Sequence, residues 1–168
     1  MTEIRDTGSE EQVRGQLASI REMVDALQCD YDRLAELRSE RDDCEDEHGD
    51  ARDWPDAQEL QELEDAAGDC EDADQARERI EEDPLSARVQ SDWHSPGEGP
   101  TDAGGEFEIL LCTGGPACRI IGELDESCEP CKARIEHQDW LTPWIDYPLT
   151  SNDEEAVLAD CRCFYFGS

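Results

Sequence analysis

Lysine is almost missing from this chain. Lys132 is the only lysine among 14 basic side chains, which face 46 Asp and Glu, and the formal charge is −32 over 168 residues. So little positive charge excludes direct binding to nucleic acid or to an anionic membrane, and points to strongly basic partners instead. Long apolar runs are missing too. None approaches the roughly 18–20 residues that cross a bilayer, and the opening MTEIRDTGSEEQVRG lacks the apolar stretch of an export signal. The expectation is a cytoplasmic protein with no membrane partner. Apolar residues are 36 % of the chain, below the roughly 45–50 % of globular domains. That excludes one large core and favours a small core with a long solvated helical arm. Histidine is scarce, at 48, 94 and 137, and no nucleophile stands at a spacing that marks a catalytic pair. The chain reads as non-enzymatic, with no cofactor.

Cysteine, by contrast, is abundant: nine residues, at 29, 44, 70, 112, 118, 128, 131, 161 and 163. An odd number without an export signal argues for reduced thiols over a disulfide framework. Cys128-Glu129-Pro130-Cys131 has the two-residue spacing of a zinc knuckle, with Cys161 and Cys163 as distant partners. Tetrahedral zinc needs four ligands, so a zinc-stabilised binding domain is one alternative reading. Cys112 and Cys118 flank a Gly-Gly turn and are placed to oppose one another, where an oxidised sample would close a disulfide.

The acid is concentrated. Residues 42–83 hold twenty Asp or Glu against three Arg, a net of −17. The pattern predicts an acidic helical arm over 1–84, with helices at about 10–47 and 55–82, and a small domain over 85–168. In the first helix Val13, Leu17, Ile20, Val24, Leu27, Tyr31 and Leu34 recur at alternating steps of four and three. That is the seam of a short coiled coil, closed as an intramolecular hairpin or as a homodimer. Pro84 ends the arm. Beyond it, alternating segments at 87–93, 107–112, 118–124 and 132–138 predict a four-stranded antiparallel sheet. A capping box from Ser151 to Glu154 opens a final helix over about 152–163. The fold class is α+β. Trp140 and Trp144 flank Pro143 and read first as core, or as a binding anchor if exposed.

The second half contains Glu82-Asp83-Pro84-Leu85-Ser86, Ile109 to Ala117 (ILLCTGGPA), Gly122-Glu123-Leu124-Asp125, Gln138 to Trp144 (QDWLTPW) and Phe164-Tyr165-Phe166-Gly167. On these residues it resembles a family of small acidic proteins encoded in phage and prophage genomes. Ala66 to Cys70 (AAGDC) extends the likeness weakly into the arm. The resemblance implies expression in a bacterial host cytoplasm and brings no catalytic residue with it.

Twenty acids in 42 residues place one carboxylate about every 3.2 Å of helix, close to the ~3.4 Å phosphate spacing of one DNA strand. This suggests nucleic-acid mimicry. The chain would be a phage-encoded inhibitor of anti-CRISPR or anti-restriction type, docking on a basic nucleic-acid-binding host defence protein. Candidate partner-binding residues are Asp42, Asp43, Glu45, Asp46, Glu47, Glu62, Glu64, Asp65, Asp69, Glu71, Asp72 and Asp74. The main alternative is a coiled-coil homodimer serving as an assembly module.

Overall fold

The computed structural model describes residues 8–48, 54–91, 105–140 and 142–166, with the backbone alone for 45–48 and 91. The strand expected to continue to Trp93, with His94 beyond it, lies outside the described residues from residue 92 onward. Four helices lead into the sheet: α1 (Gly8–Gln28), α2 (Tyr31–His48), α3 (Ala57–Ala67) and α4 (Ala73–Glu82). The strands are β1 (Ser86–Ser91), β2 (Gly105–Cys112), β3 (Ala117–Leu124), β4 (Pro130–Gln138) and β5 (Ile145–Tyr147), and α5 (Ser151–Cys161) follows them. The fold is α+β, with five strands in place of the expected four.

The two long helices expected at 10–47 and 55–82 are each divided, and an aspartate starts the new helix both times. Asp30 accepts the backbone N–H of Arg33 on its Oδ1 at 3.0 Å, which makes it the N-cap of α2. The Tyr31 hydroxyl donates to the Ala26 carbonyl at 2.9 Å and holds the turn. Further on, Gly68 takes φ 56° and ends α3, a conformation that costs other residues steric strain. Asp72 then accepts the Gln75 N–H at 2.8 Å and caps α4. Heptad spacing runs straight through Cys29-Asp30, so periodicity alone did not reveal the break.

Contacts divide the chain into two units, one of Met1–Arg21 with Ile80–Ser168 and one of Glu22–Arg79. The division falls inside α1 and inside α4, not at residue 84. The helical unit has its own small core, in which Leu34, Leu37, Leu60 and Ala67 are buried and Cys29, Tyr31, Trp54 and Leu63 pack around them.

In the other unit the sheet is an antiparallel meander in the order β1-β2-β3-β4-β5. Alternation gives it two faces. Phe107, Ile109, Ile120 and Ile135 are buried on the inner face, where α5 packs against β4. Gly122 also lies on this face: an added Cβ there would sit 2.6 Å from the Phe107 ring. The absent side chain lets Phe107 lie flat and meet Phe166, with ring centroids 4.9 Å apart. The helix α5 is capped one residue earlier than expected. Thr150, not Ser151, is the N-cap, and Asp153, not Glu154, completes the capping box. The Thr150 hydroxyl, then Arg21 of α1, hold the Asp153 carboxyl below the ordinary range, and the Arg21 Nε donates to Asp153 at 2.8 Å. β5 eluded the pattern because three residues, Ile145-Asp146-Tyr147, are too few to show alternation.

Candidate functional site

The helical unit, residues 22–79, carries twenty-three Asp and Glu against six Arg, a net of −17. Three of those arginines are engaged inside the unit. Arg33 binds Glu59 at 3.0 Å and Glu36 at 3.4 Å, Arg38 binds Glu64 at 3.2 Å, and Arg41 binds Asp42 at 3.2 Å. The Arg33 hydrogen bond is the main cause that lowers the Glu59 carboxyl from its ordinary range. Asp42 and Asp43 are exposed on α2, Glu62 and Asp65 on α3, Asp69 and Glu71 in the connection, and Asp74 in the first turn of α4. Glu64 is half-buried. Asp72 is exposed but committed to capping α4. The side chains of Glu45, Asp46 and Glu47 lie outside the described residues.

The charge density is therefore on the surface, as expected, but the straight ladder of carboxylates is not. Three separate helices, α2, α3 and α4, divide these residues, so a match to phosphate spacing holds only over single helices. α2, at 18 residues, spans roughly 27 Å.

The predicted seam is used within the single chain. Val13, Leu17 and Ile20 are buried in the sheet-bearing unit, and Val24 and Leu34 are buried in the helical one. Leu27 and Tyr31 are half-buried, on either side of the Cys29-Asp30 break.

The expected zinc ligands Cys128 and Cys131 lie in and directly after one turn between β3 and β4. Among the described residues no three His, Cys, Asp or Glu side chains are placed to hold a metal ion. The turn at Cys128 and Cys131 is built by Asp125, whose Oδ1 accepts the N–H groups of Ser127 at 2.8 Å and Glu129 at 3.0 Å. Cys128 takes φ 60° in that turn, and Cys131 donates its thiol to the Glu123 carbonyl at 3.3 Å. Two-residue spacing here belongs to an Asx-type turn.

Two constellations escaped the sequence reading. The first is on the outer face of the sheet, where Arg88, Glu108, Arg119, Glu136, Arg134 and Asp146 form a continuous ladder of ion pairs. Burial works to raise the Glu108 carboxyl, but hydrogen bonds from Arg88 and Arg119 outweigh it and hold the group below its ordinary range. The Arg119 guanidinium also lies 4.1 Å from the centre of the Trp144 ring, a cation–π contact. With Lys132 on Glu123 at 2.7 Å, each of the four basic side chains on the strands is matched by an acid. Trp144 is thus half-buried by its arginine, whereas Trp140 is 71 % exposed and is not core.

The second constellation is Ser9, His137 and Asp139. The Ser9 hydroxyl lies 3.1 Å from Asp139 Oδ2 and 2.9 Å from His137 Nδ1. The hydroxyl has one proton, and the carboxylate is the stronger acceptor, so Nδ1 is the donor to Ser9. His137 cannot then take the Ser9 proton through that nitrogen, and the trio serves to tie the start of α1 to the end of β4. Nothing in the local sequence marks it, because Ser9 and His137 are 128 positions apart.

No family model matches the chain, and no curated protein or solved structure is similar to it at a level that carries an inference.

Proposed function

We propose that the helical unit of residues 22–79 docks on a basic nucleic-acid-binding protein and blocks it by occupying the groove that receives phosphates. The observation that carries this reading is the net of −17 in the unit, together with the internal engagement of Arg33, Arg38 and Arg41. What faces a partner is a predominantly negative surface on a folded scaffold, with Arg77 and Arg79 as exposed cations on α4. The phage resemblance gives such an inhibitor a setting: a bacterial host whose defence proteins bind DNA or RNA through arginine and lysine. Burial of the seam inside the chain favours this reading over a coiled-coil assembly module.

The test is capture from a bacterial lysate at low salt, followed by elution with duplex DNA. The expected result is a nucleic-acid-binding protein released by DNA, with affinity falling steeply as salt rises. The decisive comparison is a charge-reversed variant, Glu62→Lys with Asp65→Lys and Asp69→Lys. Loss of affinity by tenfold or more supports the reading. Unchanged affinity and salt dependence would refute it.

A further inference from the structure

Cys112 and Cys118 face one another across the β2–β3 ladder. Facing residues of an antiparallel pair share one face of the sheet, with Cα atoms about 4.5–5.5 Å apart. That lies inside the window of about 4.4–6.8 Å in which a disulfide closes without backbone movement. A register shift between Leu110 and Cys112 adds one residue to β2, and this bulge sets Cys112 opposite Cys118. The two thiols are unequally accessible: Cys112 is half-buried, and Cys118 is 0 % exposed. Burial raises the Cys112 thiol, while the Cys118 backbone N–H and the Gln12 side chain act the other way, so donors that would steady a thiolate stand beside it.

We propose that Cys112 and Cys118 form a redox-active dithiol, with Cys112 as the entry thiol, Cys118 as the resolving thiol, and a low-molecular-weight disulfide such as oxidised glutathione as the oxidant. The Cys112 thiolate attacks one sulfur of glutathione disulfide, a mixed disulfide forms, and one glutathione thiolate leaves. Cys118 loses its proton and attacks Cys112 Sγ. The mixed bond breaks, and the second glutathione thiolate leaves. Two protein thiols lose two electrons in total, one glutathione disulfide gains them, and the two protons pass to the departing thiolates. Burial raises both thiols, Cys118 to about 12, so closure accelerates as the medium becomes more alkaline. This site is in the sheet-bearing unit and does not depend on the mimicry reading.

The test uses the full chain, because its cleavage sites isolate the pair. No Lys or Arg lies between Arg88 and Arg119, so the tryptic peptide from Val89 to Arg119 contains Cys112 and Cys118 and no other cysteine. After incubation with oxidised glutathione at mildly alkaline pH, the denatured protein is alkylated, digested and weighed. The expected product is that peptide, unalkylated and lighter by two hydrogens than its reduced form, and restored by dithiothreitol. In Cys118→Ser, a glutathione adduct should accumulate on Cys112. In Cys112→Ser, Cys118 should stay unmodified while the protein is folded. Full alkylation of both cysteines after oxidant, or a bridge from either to another peptide, would overturn the proposal. Faster glutathione capture by Cys118 than by Cys112 would overturn the assigned order.

Discussion

Gly122 and Asp160 show how single side chains set the tolerances of the sheet-bearing unit. A methyl group on Gly122 would come 2.6 Å from the Phe107 ring and closer still to the Lys132 carbonyl oxygen, and neither neighbour yields without disturbing the ladder. Gly122→Ala should therefore destabilise the protein by about 1–3 kcal/mol or more, read as a lower urea midpoint at unchanged slope. Asp160 is buried on α5, and burial, followed by the nearby Asp83, raises its carboxyl to about 7. Its folded value is above its unfolded one, so its favourable contribution is complete below about pH 4. That contribution is lost as pH rises through about 7. Asp160→Asn should match the parent near pH 4 and exceed it at pH 8, by something on the order of 3 kcal/mol. Denaturation of both proteins at the two pH values measures this directly. An equal difference at both values would show that the carboxyl does not titrate in this range.

At the scale of elements, the caps matter more than the helix periodicity suggested. Asp30 and Asp72 each hold a backbone N–H at the start of a helix, and each should cost about 1 kcal/mol on change to alanine. Asp72 was a candidate for partner binding, and its two roles can be separated. Asp72→Asn keeps the cap and removes the charge, whereas Asp72→Ala removes both. Stability should fall only in the alanine variant, by thermal denaturation, while any partner affinity that depends on the charge should fall in both. The sheet was legible because alternation at Phe107, Ile109, Ile120 and Ile135 states which side faces the core. The fourth strand, β4, begins earlier than expected at Pro130 because Cys131 is the extra residue of a bulge, and a bulge breaks the very alternation that reveals a strand.

For the whole molecule, a charge of −32 means that folding gathers like charges. Screening length falls from about 30 Å at 0.01 M salt to about 8 Å at physiological ionic strength. Added sodium chloride should therefore raise the melting temperature by several degrees between those limits, because the repulsion is long-ranged while the ion pairs of Arg33, Arg38 and Arg119 are local. A melting temperature that falls with salt would mean that the ion pairs outweigh the repulsion. No helix among the described residues is long and apolar enough to cross a membrane.

Composition and periodicity were sufficient for the acidic surface, the α+β class and the buried stripe of Val13, Leu17 and Ile20, because each depends on residue type and local spacing. The position of Cys112 opposite Cys118 was also legible, since both flank one short turn. Only the tertiary structure decided that the stripe is filled within one chain, that Asp125 holds the backbone of the Cys128 turn, and that Arg119 is held between Glu108, Glu136 and Trp144. Those outcomes depend on which distant strands and helices meet. Ion pairs and hydrogen bonds between residues far apart in sequence leave no period to read, since their partners are chosen by sheet register and packing.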